Sequence, residues 1–251
     1  MKKLRNLIAL IVLIGGPALG EELKPGEVVE RFLQSESRLE AEFQNYTYSQ
    51  TIIFQELSDW GSVRGERVVE YDIYFDTAGE RQLRKTRDRG RLPNIRVTQE
   101  DLDDAVSRQP FMLTSETASE YEIDYVGKEL VDELNTYVFD VEPRKQKKGR
   151  RYFQGRIYVD DVDFLIVMTS GKIVPDHGNN RYPAFETIRQ EIEEGIWFPS
   201  WTGADDTLHF RDGSRRIKMV ITYEDFKRFE VDTSITFDSE EPIPPKSVPR
   251  F

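Results

Sequence analysis

The sequence predicts a mainly β protein of the α+β kind: a strongly curved antiparallel sheet or unclosed β-barrel with a few helices over its concave face. Three observations predict it. Apolar and polar residues alternate over many separate runs, and only two segments show helical spacing. The sheet these runs would form is also wider than two helices can cover, since about nine to eleven strands at about 4.8 Å spacing span on the order of 45 Å, whereas two helices of about 10 Å diameter cover roughly 20 Å. Such a sheet has to curl. No cysteine occurs in the 251 residues, so a packed core rather than a disulfide framework must hold the fold.

Lys2, Lys3 and Arg5 precede the apolar run Leu7 to Ile14, and the small-residue stretch Pro17-Ala18-Leu19-Gly20 follows. That order predicts a secretory signal peptide over residues 1–20 and an exported protein. The apolar run is far short of the roughly 20 residues that span a bilayer as a helix. Glu21 stands where a bacterial lipoprotein has its acylated cysteine, so no lipid anchor is expected there. Residues 21–237 are expected to form one domain. Residues 238–251, with prolines at 242, 244, 245 and 249, are expected to form an extended tail.

Within the domain, Pro25 and Glu27 open a segment in which Val28, Phe32, Leu39 and Phe43 recur at helical spacing, predicting an amphipathic helix over about 25–43. The period then becomes two. Tyr46, Tyr48, Ile52 and Phe54 share one parity, and Val69, Tyr71, Ile73 and Phe75 alternate with Glu70 and Asp72. The same holds for Tyr121, Ile123 and Tyr125, for Tyr137, Phe139 and Val141, and for Phe153, Ile157 and Val159. It holds again for Ile217, Met219, Ile221 and Tyr223, and for Phe229, Val231, Ile235 and Phe237. One dry and one wet face per strand is the mark of an antiparallel sheet. Thr98 and Asp101 have capping-box spacing before Leu102 and Val106, predicting a second helix over about 99–108. Asp160-Asp161 and Glu194-Gly195 read as hairpin turns.

The composition narrows function by exclusion. A formal net charge of −11 disfavours nucleic acid. Neither a Gly-x-Ser-x-Gly turn nor a Gly-x-Gly-x-x-Gly loop occurs, and His177 and His209 stand in no ligand spacing. No catalytic residue, metal or cofactor is therefore expected, and the 46 acidic residues offer no means of selecting an acid/base pair.

Two features point to function. Arg144, Lys145, Lys147, Lys148, Arg150 and Arg151 place six positive charges in one short segment between strands. That segment is expected to be a projecting loop, either a contact for an acidic partner or anionic membrane surface, or solvated charge. The second is the trough of the curled sheet, rich in aromatic residues. Its expected ligand-binding lining is Val28, Phe32 and Leu39 from the helix, with Val69, Tyr71, Ile73, Phe75, Tyr137, Phe139, Phe153, Ile157, Ile217 and Ile221 from the strands. A core filled by the same side chains is the competing reading.

The stretch Tyr152-Phe153-Gln154-Gly155-Arg156-Ile157-Tyr158-Val159-Asp160, followed by Phe164-Leu165-Ile166-Val167, carries a family resemblance. Together with Tyr137-Val138-Phe139-Asp140-Val141-Glu142-Pro143 before it and Trp197-Phe198-Pro199 after it, it resembles the LolA-type outer-membrane lipoprotein carriers and their periplasmic relatives, including the RseB-type stress regulators. The resemblance implies an unclosed barrel with a helical lid over an apolar cavity that holds lipoprotein acyl chains. It implies an arginine that latches the lid, for which Arg64 and Arg67 lie in a suitable strand without either being singled out. Lipoprotein or lipid acyl chains are the expected ligands, an inner-membrane complex or outer-membrane receptor the expected partner, with peripheral membrane contact. The expected function is a non-enzymatic carrier. The alternative is a regulatory or envelope-binding module with a filled core that recognises a partner through its surface.

Overall fold

A computed structural model describes residues 23–76, 81–107, 111–176 and 181–228. The expected signal peptide, His177, the strand expected at 229–237 and the proline-containing tail lie outside the described residues. In chain order the elements are α1 (Pro25–Phe43), β1 (Tyr46–Leu57), β2 (Val63–Phe75), β3 (Arg81–Arg91), α2 (Gln99–Ser107), a 3-10 turn (Ala118–Glu120) and β4 (Tyr121–Val131). β5 (Leu134–Pro143), β6 (Tyr152–Asp160), β7 (Ile166–Val174), β8 (Phe185–Glu193), β9 (Ile196–Phe210) and β10 (Gly213–Arg228) follow. Among the described residues no helix is long and apolar enough to cross a membrane.

All pairings are antiparallel, and the ten strands form one sheet in the order β3-β2-β1-β10-β9-β8-β7-β6-β5-β4. β3 and β4 are its two edges, so the barrel is unclosed along the seam between them. The fold class read from the sequence is the one observed. β6 and β7 approach closely where Gly155 faces Gly171: a Cβ on Gly155 would run into the Ser170 carbonyl oxygen. Side chains at both positions would force the strands apart.

Each helix starts as its sequence dictates. Pro25 opens α1, and the Lys24 N–H donates to the Glu27 carboxylate at 3.2 Å. At α2 the Thr98 N–H donates to Asp101 Oδ2 at 2.7 Å, while the Asp101 N–H donates to Thr98 Oγ1 at 3.2 Å, satisfying two end groups that no helical bond reaches. One turn differs from expectation. β6 does not fold back through two residues at Asp160-Asp161; the Asp160 carboxylate accepts the N–H groups of Val162 and Asp163 at 3.0 and 2.7 Å, and β7 begins only at Ile166. An aspartate that bonds its own downstream backbone builds a wider turn than sequence spacing reveals.

α1 plugs the trough. Val28, Phe32 and Leu39 are buried, and the Phe32 ring meets Phe139 at 5.6 Å between centroids. Burying each of these side chains contributes about 1.5–3 kcal/mol. Val28 and Phe32 join one continuous core with Val69, Tyr71, Ile73, Tyr137, Ile157 and Ile221. The described residues of the connection between the two edge strands, 92–107 and 111–120, carry α2 and run across the remaining opening as a strap, with Leu102, Ala105 and Val106 buried.

Candidate functional site

The strap is fastened mainly by arginines reaching up from the barrel. Arg67 Nη1, from β2, donates to the Val97 carbonyl at 2.9 Å. Arg81, at the start of β3, donates to the Val106 carbonyl at 3.3 Å and to the Tyr48 hydroxyl at 3.1 Å. Arg151, just before β6, pairs with Glu100 and Asp104 of α2 and lies 4.5 Å over the Tyr182 ring. Guanidinium groups suit this task because five fixed donors can hold a carboxylate and a carbonyl together.

Arg189 of β8 makes the most buried of these contacts. Its Nη1 donates to Glu36 Oε1 at 2.8 Å, and its Nη2 donates to Glu36 Oε2 at 3.2 Å and to the Phe111 carbonyl at 2.6 Å. The side chains are 2% and 0% exposed. Glu36 Oε1 also accepts the Ile166 N–H of β7 at 3.0 Å. One ion pair thus joins α1, two strands and the strap. Nearby, the Ser115 N–H of the strap donates to Ser37 Oγ at 3.0 Å.

The Arg67 guanidinium that reaches the strap at Val97 is itself positioned by an ion pair between β2 and β3. Its Nε and Nη2 each donate to Asp88 at 2.9 Å, and this hydrogen-bonded guanidinium, with a smaller contribution from Lys85, lowers the Asp88 carboxyl below its ordinary 3.8. A carboxyl with a depressed folded-state value stabilises the fold fully above its unfolded value and loses that contribution as pH falls through the folded one. Cleavage of the strap by an acid-active protease is expected to accelerate below about pH 3.8, and Asp88→Asn should show the fast rate already at pH 5. An unchanged rate in that variant would mean that Asp88 has no part in holding the strap.

Two clefts flank α2. The larger, about 660 Å³, opens at the seam beside the C-terminal end of α1 and is walled by Phe43, Tyr48, Phe75, Leu83, Phe111 and Phe153, with Arg81, Arg150 and Glu40 among its polar lining. Burial, then the Glu116 and Glu36 carboxylates, push the Glu40 carboxyl above its ordinary value. The second, about 440 Å³, lies on the other side of the helix against Phe54, Ile95, Phe185, Leu208, Ile217 and Met219. Val106 lines the first and Ala105 the second, so α2 is the partition between them. Both volumes fall in the range of about 300–1,000 Å³ typical of small-molecule sites. Among the described residues no group of three or more His, Asp or Glu could hold a metal.

The residues expected from sequence to line a cavity are therefore divided. Phe75 and Phe153 line the seam cleft and Ile217 the second. Val28, Phe32, Val69, Tyr71, Ile73, Tyr137, Phe139, Ile157 and Ile221 pack together in the core, Leu39 is buried on α1, and none of them lines either cleft.

The basic segment between β5 and β6 also divides. Arg151 is buried against α2 rather than projecting. Arg144 pairs with Glu122, and Lys147 and Arg150 both pair with Glu120. Lys145 and Lys148 are exposed and without an ion pair among the described residues.

The sequence reading missed Arg189, Glu36, Arg81, Phe111 and Met112. A signal existed for Glu36, a carboxylate four residues after Phe32 and three before Leu39 on the buried stripe of a helix. Arg189 likewise shares the inward parity of Phe185 and Thr187.

No family model matches the chain, and no curated protein matches it. Solved structures resemble its fold. A DUF1329 family protein from Desulfovibrio piger is 16% identical over 82% of this chain and 95% of its own, with a TM-score of 0.45. A LolA superfamily protein from Nitrosomonas europaea is 12% identical over 84% and 96%, with a TM-score of 0.38. MucB in the Pseudomonas aeruginosa MucA/MucB complex is 11% identical over 81% and 98%, with a TM-score of 0.23. These likenesses concern the course of the chain alone.

Proposed function

We propose that this chain is a non-enzymatic binding protein of the periplasm that shelters an acyl chain, of a lipoprotein or a free lipid, in the seam cleft beside α2. The observation that carries the reading is the cleft itself: apolar walls, cationic side chains among its lining, and one side made by a strap that polar contacts rather than sheet bonds hold down. Each methylene moved from water into such a site contributes about 0.8 kcal/mol. Arg81 and Arg150 suit the carboxylate or phosphate end of an amphiphile. Release of the strap would let the two clefts join and the ligand leave. Export rests on residues 1–20, expected to direct it, and the periplasmic compartment on the resemblance of the sequence to the periplasmic LolA-type carriers.

Native mass spectrometry of protein purified without detergent tests the reading, together with uptake of a fluorescent fatty acid. Bound lipid and saturable uptake are expected. Leu83→Trp, which fills the cleft from a half-exposed position, should weaken uptake by about tenfold, the equivalent of roughly two lost methylenes. Charge reversal at Lys145 and Lys148 should leave it unchanged.

A second reading, a regulatory or envelope-binding module recognising a partner through its surface, is favoured by the filled core under α1. It expects no saturable uptake and no effect of Leu83→Trp.

A further inference from the structure

The hairpin between β1 and β2 carries the most exposed large apolar side chain among the described residues: Trp60 is 95% exposed, and Val63 is 54% exposed. The turn is rigid. The Ser58 N–H donates to the Ser62 carbonyl at 2.8 Å, the Gly61 N–H to the Ser58 carbonyl at 2.9 Å, and the Ser62 N–H to Ser58 Oγ at 3.1 Å. Gly61 supplies the positive φ of 80° that the turn requires. The indole is thus held out in water by a tied loop.

Cationic groups gather beside it. Arg64 follows on β2, Arg89 and Arg91 sit on β3 opposite Val68 and Glu66, and Arg96 lies in the next segment. Gly65 packs so closely here that a Cβ would lie 2.7 Å from the Arg91 carbonyl oxygen and 2.5 Å from Pro93. All four arginines are exposed, and none of their guanidinium groups makes an ion pair among the described residues, whereas Arg84 and Arg87 farther along β3 are matched to Asp72 and Glu70. Asp59 at the tip shares a surface pocket with Asp206 and with Asp205, which Arg216 holds in an ion pair; Glu66 accepts a hydrogen bond from Gln55.

We propose that this corner of the barrel docks on an anionic bilayer, with Trp60 and Val63 entering the interfacial layer and Arg64, Arg89, Arg91 and Arg96 facing lipid phosphates. Tryptophan is the side chain best suited to that layer, apolar in body and polar at one edge. Each cationic residue at an anionic surface shifts partitioning about fivefold. The chain as a whole carries a formal net charge of −11, so the field that repels the rest of the molecule orients this corner toward the membrane. The site is independent of the seam cleft and stands or falls separately from it.

Sedimentation of the full chain with phosphatidylcholine vesicles, and with vesicles containing phosphatidylglycerol as well, tests the proposal. Binding to the anionic vesicles that weakens with salt is expected. Trp60→Ala should reduce it about tenfold or more, and Arg89→Glu with Arg91→Glu should abolish it. Melting temperatures should not change, because these side chains are exposed, so lost binding reads as lost docking. Failure to bind anionic vesicles, or binding indifferent to Trp60→Ala, would overturn the proposal. So would capture of polyglutamate without vesicle binding, which would assign the surface to an acidic protein.

Discussion

Arg189→Leu is expected to remove about 3–5 kcal/mol of folding free energy in a urea titration, the cost of leaving a buried carboxylate without its counter-charge. Glu36 is fully buried and its remaining partner would be one N–H, that of Ile166. The Phe111 carbonyl would lose its donor in the same step. Because one guanidinium holds both α1 and the strap, the strap should also become an early site of limited proteolysis. Replacing both partners, Glu36→Leu with Arg189→Leu, should recover much of the loss, since an apolar pair of similar volume removes the unpaired charge. A loss below about 1 kcal/mol in the single variant would mean that Glu36 reaches water, and the seating of α1 described above would be wrong.

Phe32→Ala is expected to cost a similar amount, about 3–5 kcal/mol, for a different reason. The ring is fully buried against Phe139, and truncation leaves a void that the strands around it cannot close. The two variants separate in their ligand behaviour. Phe32→Ala should leave uptake by the seam cleft intact, because Phe32 lines neither cleft. Arg189→Leu should raise both the on-rate and the off-rate of a ligand by loosening the strap.

The contrast between Phe32 and Phe75 shows what the sequence could convey. Period and parity place both on the dry side of their elements, and the two helices, the inward faces and the curl of the sheet follow from such patterns, whereas its being unclosed is implied by the family resemblance. Whether an inward ring fills space or lines it depends on what stands opposite. Phe32 meets Phe139, whereas Phe75 faces the gap between two edge strands. That gap is created by the pairing of β1 with β10, a contact across most of the chain that no local pattern encodes.

Arg151 shows the same limit from the other side. In sequence it closes a basic run and reads as surface charge, yet Asp104 on α2 draws it inward. Its neighbours Lys145 and Lys148 stay in water. The turn at Asp160 and the Glu36–Arg189 pair were similarly hidden, since side-chain bonds over 2 and over 153 positions look alike in a linear string.

The most direct test is photo-crosslinking with a diazirine-bearing fatty acid, followed by peptide mapping of the labelled protein. Saturable labelling at Leu83, Phe111, Met112 and Tyr121 around the seam cleft, competed by unlabelled fatty acid and needing about tenfold more probe in Leu83→Trp, is the result the account predicts. Labelling of Val28, Phe32 or Phe139 beneath α1, or none that unlabelled fatty acid can displace, would contradict it.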